Sequence, residues 1–261
     1  MYLHKFCFSV TLLLLMVPNA FSQLITDTGG LAKPVPIKIN SAWHSQFNPK
    51  SLLIPGMMIG YGVIAIKADA LTDINEEVQE EVYSEHPHRQ IHLDNYLQFA
   101  PAAAVYGLNA LGIKGEHNLF DRTMLYMLSN VIVNASTLTI KKYASQPRPD
   151  GSANNSFPSG HTAEAFASAE FLRQEYKEIS PWYGVAGYAV AATTGYLRMY
   201  NNKHWLGDVM AGAGIGILST KFAYWLYPKI QHLICKAKRT DTVIMPTCNR
   251  GNLDVSMIKQ F

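Results

Sequence analysis

A chain of 261 residues is long enough to bury one large core or two small ones. Hydrophobic residues make up 48% and charged residues 16%, sparse charge for a soluble domain yet too much for a uniformly lipid-bathed one. A net charge of +3, with no dense Lys/Arg tract interleaved with aromatics, argues against nucleic acid as a partner.

Residues 1–22 read as an export signal. Lys5 precedes the apolar run from Phe8 to Val17, and Ala20 and Ser22 fit the small-residue cleavage pattern. That run is shorter than the ~20 residues of a spanning helix, which favours a cleaved leader over a retained anchor. Cys7 would leave with it; Cys235 and Cys248 have no metal-type spacing and make only a weak case for pairing.

Residues 23–94 form an N-terminal segment. Its apolar stretch LLIPGMMIGYGVIAI (52–66) is short and broken by Pro55 and three glycines, so it is not expected to cross a membrane. Over 70–85, Leu71, Ile74, Val78 and Val82 recur at helical spacing against Asp73, Glu76, Glu77, Glu80 and Glu81, the pattern of an acidic surface helix, placed on the outer side. The run EHPHRQIHLD then gathers His86, His88, His92 and Asp94. A metal site is not expected there, because Pro87 breaks any helix that would align the ligands and the spacing is irregular.

Residues 95–228 carry the remaining apolar segments, at 99–113, 124–140, 163–172, 182–197 and 209–227. All are richer in Ala, Gly, Met and Leu than in alternating β-branched residues and exceed ordinary strand length, so they read as helices. The expected fold is one all-α domain, a membrane-embedded bundle of about six helices. Residues 229–261 are a basic tail, and KIQHLICKAKRT, all of whose charges are positive, belongs on the cytoplasmic side by the positive-inside tendency. Segments 163–172 and 182–197 then form an in-and-back pair, with the reactive residues at the exterior end.

Those residues lie in three stretches. The first holds Lys141 and Arg148. The second, SFPSGHTAEAF, sets Pro158, Ser159, Gly160 and His161 at the mouth of a helix. Its first N–H groups and the positive end of its dipole suit a phosphate, although the same residues also make an ordinary helix cap. The third holds Arg198, His204 and Asp208. Three cations and a helix start supply the charge-assisted donors that phosphate oxygens require. His204 is the candidate nucleophile; Asp208, four residues on, would share its helix face and orient its ring. Taken singly, Lys141 beside Lys142 is a helix-end cation, Arg148 an exposed loop residue, His204 beside Trp205 a core or interfacial histidine and Asp208 a cap. Their joint occurrence favours a site.

Together these motifs resemble the type 2 phosphatidic acid phosphatase superfamily of lipid phosphatases, soluble class A acid phosphatases and vanadium haloperoxidases. Lys141, Arg148 and Pro149 match its first motif, Pro158 to His161 its second, and Arg198, His204 and Asp208 its third, within residues 95–228. Leu197 stands where the third motif has serine, and only eight residues separate Pro149 from Pro158, leaving little room for a lid. The resemblance implies that His204 attacks phosphorus, Asp208 orients it, and His161 protonates the leaving group and then activates water. It also implies that Lys141, Arg148, Arg198, the Ser159 hydroxyl and the Gly160 N–H hold the phosphate, with neither metal nor cofactor. The expectation is a bacterial envelope phosphatase acting on a lipid phosphomonoester or diphosphate (phosphatidate, phosphatidylglycerol phosphate, a polyprenyl diphosphate or lipid A) from the periplasmic face of the inner membrane. A soluble periplasmic acid phosphatase, a vanadate-dependent haloperoxidase and an inactive membrane scaffold are the alternatives, the last supported only by Leu197.

Overall fold

The computed structural model describes residues 49–85, 88–237, 242–249 and 252–259, with side chains as far as residue 232. The export signal, His86 and the side chains of all three cysteines lie outside the described residues.

Among the described residues eight α-helices follow one another: α1 (Leu53–Ile64), α2 (Asp69–Gln79), α3 (Asp94–Leu97), α4 (Ala100–Ala110), α5 (Leu119–Ala144), α6 (Gly160–Tyr176), α7 (Pro181–Tyr200) and α8 (Leu206–Ala237). The six apolar segments are α1 and α4 to α8, and the acidic stretch is α2; the single turn of α3 had no forecast. Helix starts obey local chemistry. Asn118, Ser159 and Ser180 accept backbone N–H groups of α5, α6 and α7, and Pro181 opens α7 where its missing N–H costs nothing.

Helix α6 is the centre, packed against α4, α5, α7 and α8. Its buried Ala163, Ala165, Ala167 and Ala169 let neighbouring backbones come close. A Cβ on Gly216 of α8 would lie 2.2 Å from the Ala163 carbonyl, so glycine is required at that contact. The same buried helix carries Glu164, Glu170 and Glu175, each with partners. Tyr126 donates to Glu164 at 3.0 Å, and Arg173 and Lys221 pair with Glu170 at 2.6 and 3.2 Å. Glu175 receives Arg122 Nε at 3.0 Å, His117 Nδ1 at 2.6 Å and the Tyr224 hydroxyl at 2.7 Å. Partners of this kind make a buried carboxylate tolerable.

Among the described residues two helices are long and apolar enough to cross a membrane, Leu119–Ala144 and Leu206–His232. A third crossing exists only if Pro49–Ile64 and Asp69–Ser84, bent by 93°, count as one. The 12 residues of α1 reach about 18 Å, well short of the ~30 Å hydrocarbon layer. Helices α6 and α7 run away from and back to one end, and neither is among the described helices long and apolar enough to cross a membrane; α6 buries three glutamates in 17 residues.

Helix α8 runs through Pro228 to Ala237, giving up the hydrogen bond to the Tyr224 carbonyl. The Tyr227 hydroxyl and Gln231 Nε2 both donate to Asp121 Oδ1, at 2.8 and 2.7 Å, tying the two sides of the break to the first turn of α5. Beyond it, β1 (Thr242–Asn249) and β2 (Asn252–Lys259) form an antiparallel hairpin with Thr242 opposite Lys259. The helical core therefore carries a β-hairpin that the tail's sequence did not signal.

Candidate active site

The last turn of α5 delivers Lys141, whose Nζ donates to the carbonyls of Asn155 at 2.7 Å and Ser156 at 3.2 Å. Lys141 is thus no stray helix-end cation but the clamp on the loop before α6. In that loop the Arg148 N–H bonds the Ala153 carbonyl at 2.9 Å and Arg148 Nε donates to Asn155 Oδ1 at 3.0 Å. The two terminal nitrogens of the guanidinium remain as a fork for an anion.

Ser159 opens α6 fully buried. Its hydroxyl accepts the Thr162 N–H at 3.4 Å and pairs with Thr162 Oγ1 at 2.8 Å, so the capping role is realised and the hydroxyl expected to touch phosphate is already engaged. Gly160 and His161, half-buried, follow in the first turn, where amides have no helical acceptor.

The C-terminal turn of α7 supplies Arg198, buried, with Nη1 2.5 Å from Asp94 Oδ2 and Nε without a partner among the described residues. Leu197 beside it is buried. His204 lies in the turn ahead of α8, and its Nδ1 faces Asp208 Oδ2 at 3.4 Å; the two are 3% and 1% exposed. Asp208 Oδ2 also accepts the Trp205 N–H at 3.0 Å and the Ser156 hydroxyl, whose oxygen lies 3.4 Å from His204 Nδ1. Capping and orienting the histidine are therefore done by one carboxylate.

Three contacts bring the motifs to one end of the bundle. The Ser159 N–H donates to the Asp208 carbonyl at 3.0 Å, Trp205 Nε1 donates to the Pro147 carbonyl at 3.0 Å, and Lys203 pairs with Asp150 at 2.5 Å. Helix α2 closes the same end, because Asn75 Oδ1 accepts the Gly207 N–H at 2.9 Å.

Burial dominates the electrostatics, and the shared cations add to it. Burial, then Arg198, holds His161 down to about 4; burial, opposed by the Asp208 hydrogen bond, holds His204 to about 4. Lys141 bears on both rings as well. Burial and then Arg198 lower Arg148. Near neutral pH both imidazoles are uncharged, which gives His204 a free lone pair. His161 gains a proton readily only once an anion offsets the surrounding cations.

The histidine-rich run is dispersed. His88 stacks on Tyr200 with ring centroids 3.5 Å apart and its Nε2 meets the Tyr200 carbonyl at 2.8 Å, while Asp94 serves Arg198. Among the described residues no three His, Cys, Asp or Glu side chains converge as metal ligands. Asp94, Asn95, Ser156 and Asn75 are the site residues that sequence reasoning missed as such. Asn95 Oδ1 lies 2.9 Å from His161 Nε2.

Residues 122–232, which contain all three motifs, match the PAP2 superfamily. Over this stretch, less than half of its length, the chain resembles the PAP2 superfamily. It is 41% identical over 135 residues to the lipid A 1-phosphatase of Porphyromonas gingivalis, covering 51% of this chain and 30% of that protein. It is 32% identical over 102 residues to the bacitracin transport permease protein BcrC of Bacillus licheniformis, covering 38% of this chain and 48% of that protein. The chain thus matches less than half the length of either relative. A crystal structure of a transmembrane PAP2-type phosphatidylglycerolphosphate phosphatase from Bacillus subtilis aligns at 21% identity, covering 68% of this chain and 97% of that one, with a TM-score of 0.49. The PAP2 match spans α5 through most of α8; α3, with Asp94 and Asn95, lies outside it.

Proposed function

We propose that this protein is a phosphohydrolase that removes phosphate from a membrane lipid through a phosphohistidine on His204. The observation that carries the reading is the convergence of Lys141, Arg148, His161, Arg198, His204 and Asp208 at one end of the bundle, with the same cations bearing on both histidines. His204 Nδ1 is turned to Asp208, so Nε2 is the attacking atom. As the Nε2–P bond forms, the P–O bond to the leaving group breaks and protonated His161 gives that oxygen its proton. Neutral His161 then takes a proton from water, whose oxygen attacks phosphorus and frees His204. Lys141, Arg148, Arg198 and the Gly160 N–H hold the nonbridging oxygens, where fixed donors favour the transition state.

The apolar surface supports a lipid substrate. Leu119, Phe120, Val131, Leu138 and Tyr143 are all more than half exposed along α5, and Leu93, Tyr96 and Phe99 are exposed around α3 beside the reacting groups. The lipid A 1-phosphatase relative favours a glycolipid phosphate. The positive charges after residue 228 favour a cytoplasmic far end and a site on the periplasmic face. Phosphate release from lipid A, phosphatidate, phosphatidylglycerol phosphate, a polyprenyl diphosphate and a soluble monoester tests this. Turnover on a lipid, unchanged by EDTA and absent in His204→Ala, is expected. Turnover that survives His204→Ala, or none on any lipid, contradicts it.

A further inference from the structure

His161 must both give and take a proton in the reaction proposed above, so it matters which of its nitrogens is committed elsewhere. Asn95 Oδ1 is 2.9 Å from Nε2 across 66 residues of sequence. The residues just before Asn95 are anchored at two points. Its neighbour Asp94, fully buried, grips Arg198 at 2.5 Å. The Asn201 amide brackets the backbone of Ile91 with bonds of 2.7 and 2.8 Å. One turn of helix thus reaches the anion-binding arginine with one residue and the acid–base histidine with the next.

We propose that Asn95 is a positioning residue for His161: its side-chain carbonyl accepts the Nε2 hydrogen and fixes the tautomer that leaves Nδ1 to exchange the catalytic proton. In the first half-reaction Nδ1–H of the imidazolium protonates the leaving oxygen, and the ring stays on Asn95 as the neutral Nε2–H form. In the second, the Nδ1 lone pair takes the proton of the attacking water, and product departure returns the site to its starting charge. An amide suits this role better than a carboxylate. It selects the tautomer without adding negative charge, so the ring does not retain its proton, whereas His204 is paired with the carboxylate of Asp208. The charged groups bearing on His161 are Arg198 of α7, Asp94 of α3, Arg148 of the loop and Lys141 of α5, three cations against one anion.

The inference rests on the phosphohydrolase reading, and its test separates the two. In the full chain, Asn95→Ala should lower kcat on an alkyl lipid phosphate by about 10–100-fold, part of the 10²–10⁴ that a general acid supplies, with KM little changed. On p-nitrophenyl phosphate, whose leaving group needs no proton, the loss should be slight. Asn95→Asp should keep the tautomer but move the alkaline limb of the pH profile upward, because a carboxylate favours the imidazolium. Nitrogen-15 NMR of histidine-labelled protein, assigned with His161→Gln, should show the Nε2–H tautomer in the wild type and a mixture in Asn95→Ala. Equal losses on both substrates, an unshifted Asn95→Asp profile or an Nδ1–H tautomer would overturn the role of Asn95 while leaving the phosphatase reading intact. A wild type without phosphatase turnover would overturn that reading and the acid–base role with it.

Discussion

The backbone N–H of Ser159 donates to the backbone carbonyl of Asp208 at 3.0 Å, joining the cap of α6 to the residue that orients His204. This contact depends on Gly212, one turn along α8, where a Cβ would fall 2.5 Å from the Ser159 carbonyl oxygen and 3.3 Å from Thr162 Cβ. Gly212→Ala is expected to cost about 1–3 kcal/mol of stability by overpacking and to lose activity at temperatures where it is still folded. Gly56→Ala, with open space around its Cβ, should do neither. Thermal unfolding and turnover of the two variants check this.

A second prediction concerns the Arg198–Asp94 pair. Arg198 Nε already lacks a partner, so removing the carboxylate leaves a buried guanidinium almost unsupported. Asp94→Ala should destabilise by about 3–5 kcal/mol and raise KM, whereas Asp94→Asn, which can still accept one hydrogen bond, should lose less of each. Unfolding midpoints and steady-state kinetics measure both.

These two residues show where sequence reading ends. Lys141, Arg148, His161, Arg198, His204 and Asp208 were legible because phosphate chemistry restricts residue type and because each motif is local in sequence. The helices were legible from apolar segments longer than any strand. Asp94 and Asn95 were not, since their partners lie 104 and 66 residues away and nothing near them announces a turn of helix. Asp94 stood at the end of a histidine-rich run that drew attention to metal chemistry. The mid-bundle glutamates were likewise hidden, because Arg122, Lys221, Tyr188 and Tyr224 meet them only after packing.

Ser156 supplies a hydroxyl at the His204–Asp208 pair although Leu197 replaces the serine of the third motif. With His204 Nδ1 and Asp208 Oδ2 3.4 Å apart, the Ser156 hydroxyl is the closer partner of the carboxylate. Ser156→Ala removes it and is expected to lower kcat about 10-fold, equivalent to the ~1–1.5 kcal/mol of one hydrogen bond, without changing KM. An unchanged kcat would remove Ser156 from the site.

Stability should depend on pH with a definite sign. Burial holds His204 and His161 at about 4 in the folded protein, against an ordinary 6.5, so between those values the unfolded chain binds more protons. The melting temperature should therefore fall as pH drops from 6.5 towards 4 and be insensitive to these groups above 6.5. His161→Gln/His204→Gln should flatten that slope. Phosphate or vanadate, by offsetting Arg198 and Lys141, should bind with proton uptake near pH 5, measurable by calorimetry in buffers of different ionisation enthalpy.

The most direct test of the phosphohistidine route is chemical trapping. Protein mixed with radiolabelled substrate and quenched in base during turnover should carry one phosphoryl group, stable to alkali and labile to acid, on the peptide containing His204 and absent from His204→Ala. Full turnover with no such adduct under rapid quench, or a phosphoryl group on any other residue, would contradict it.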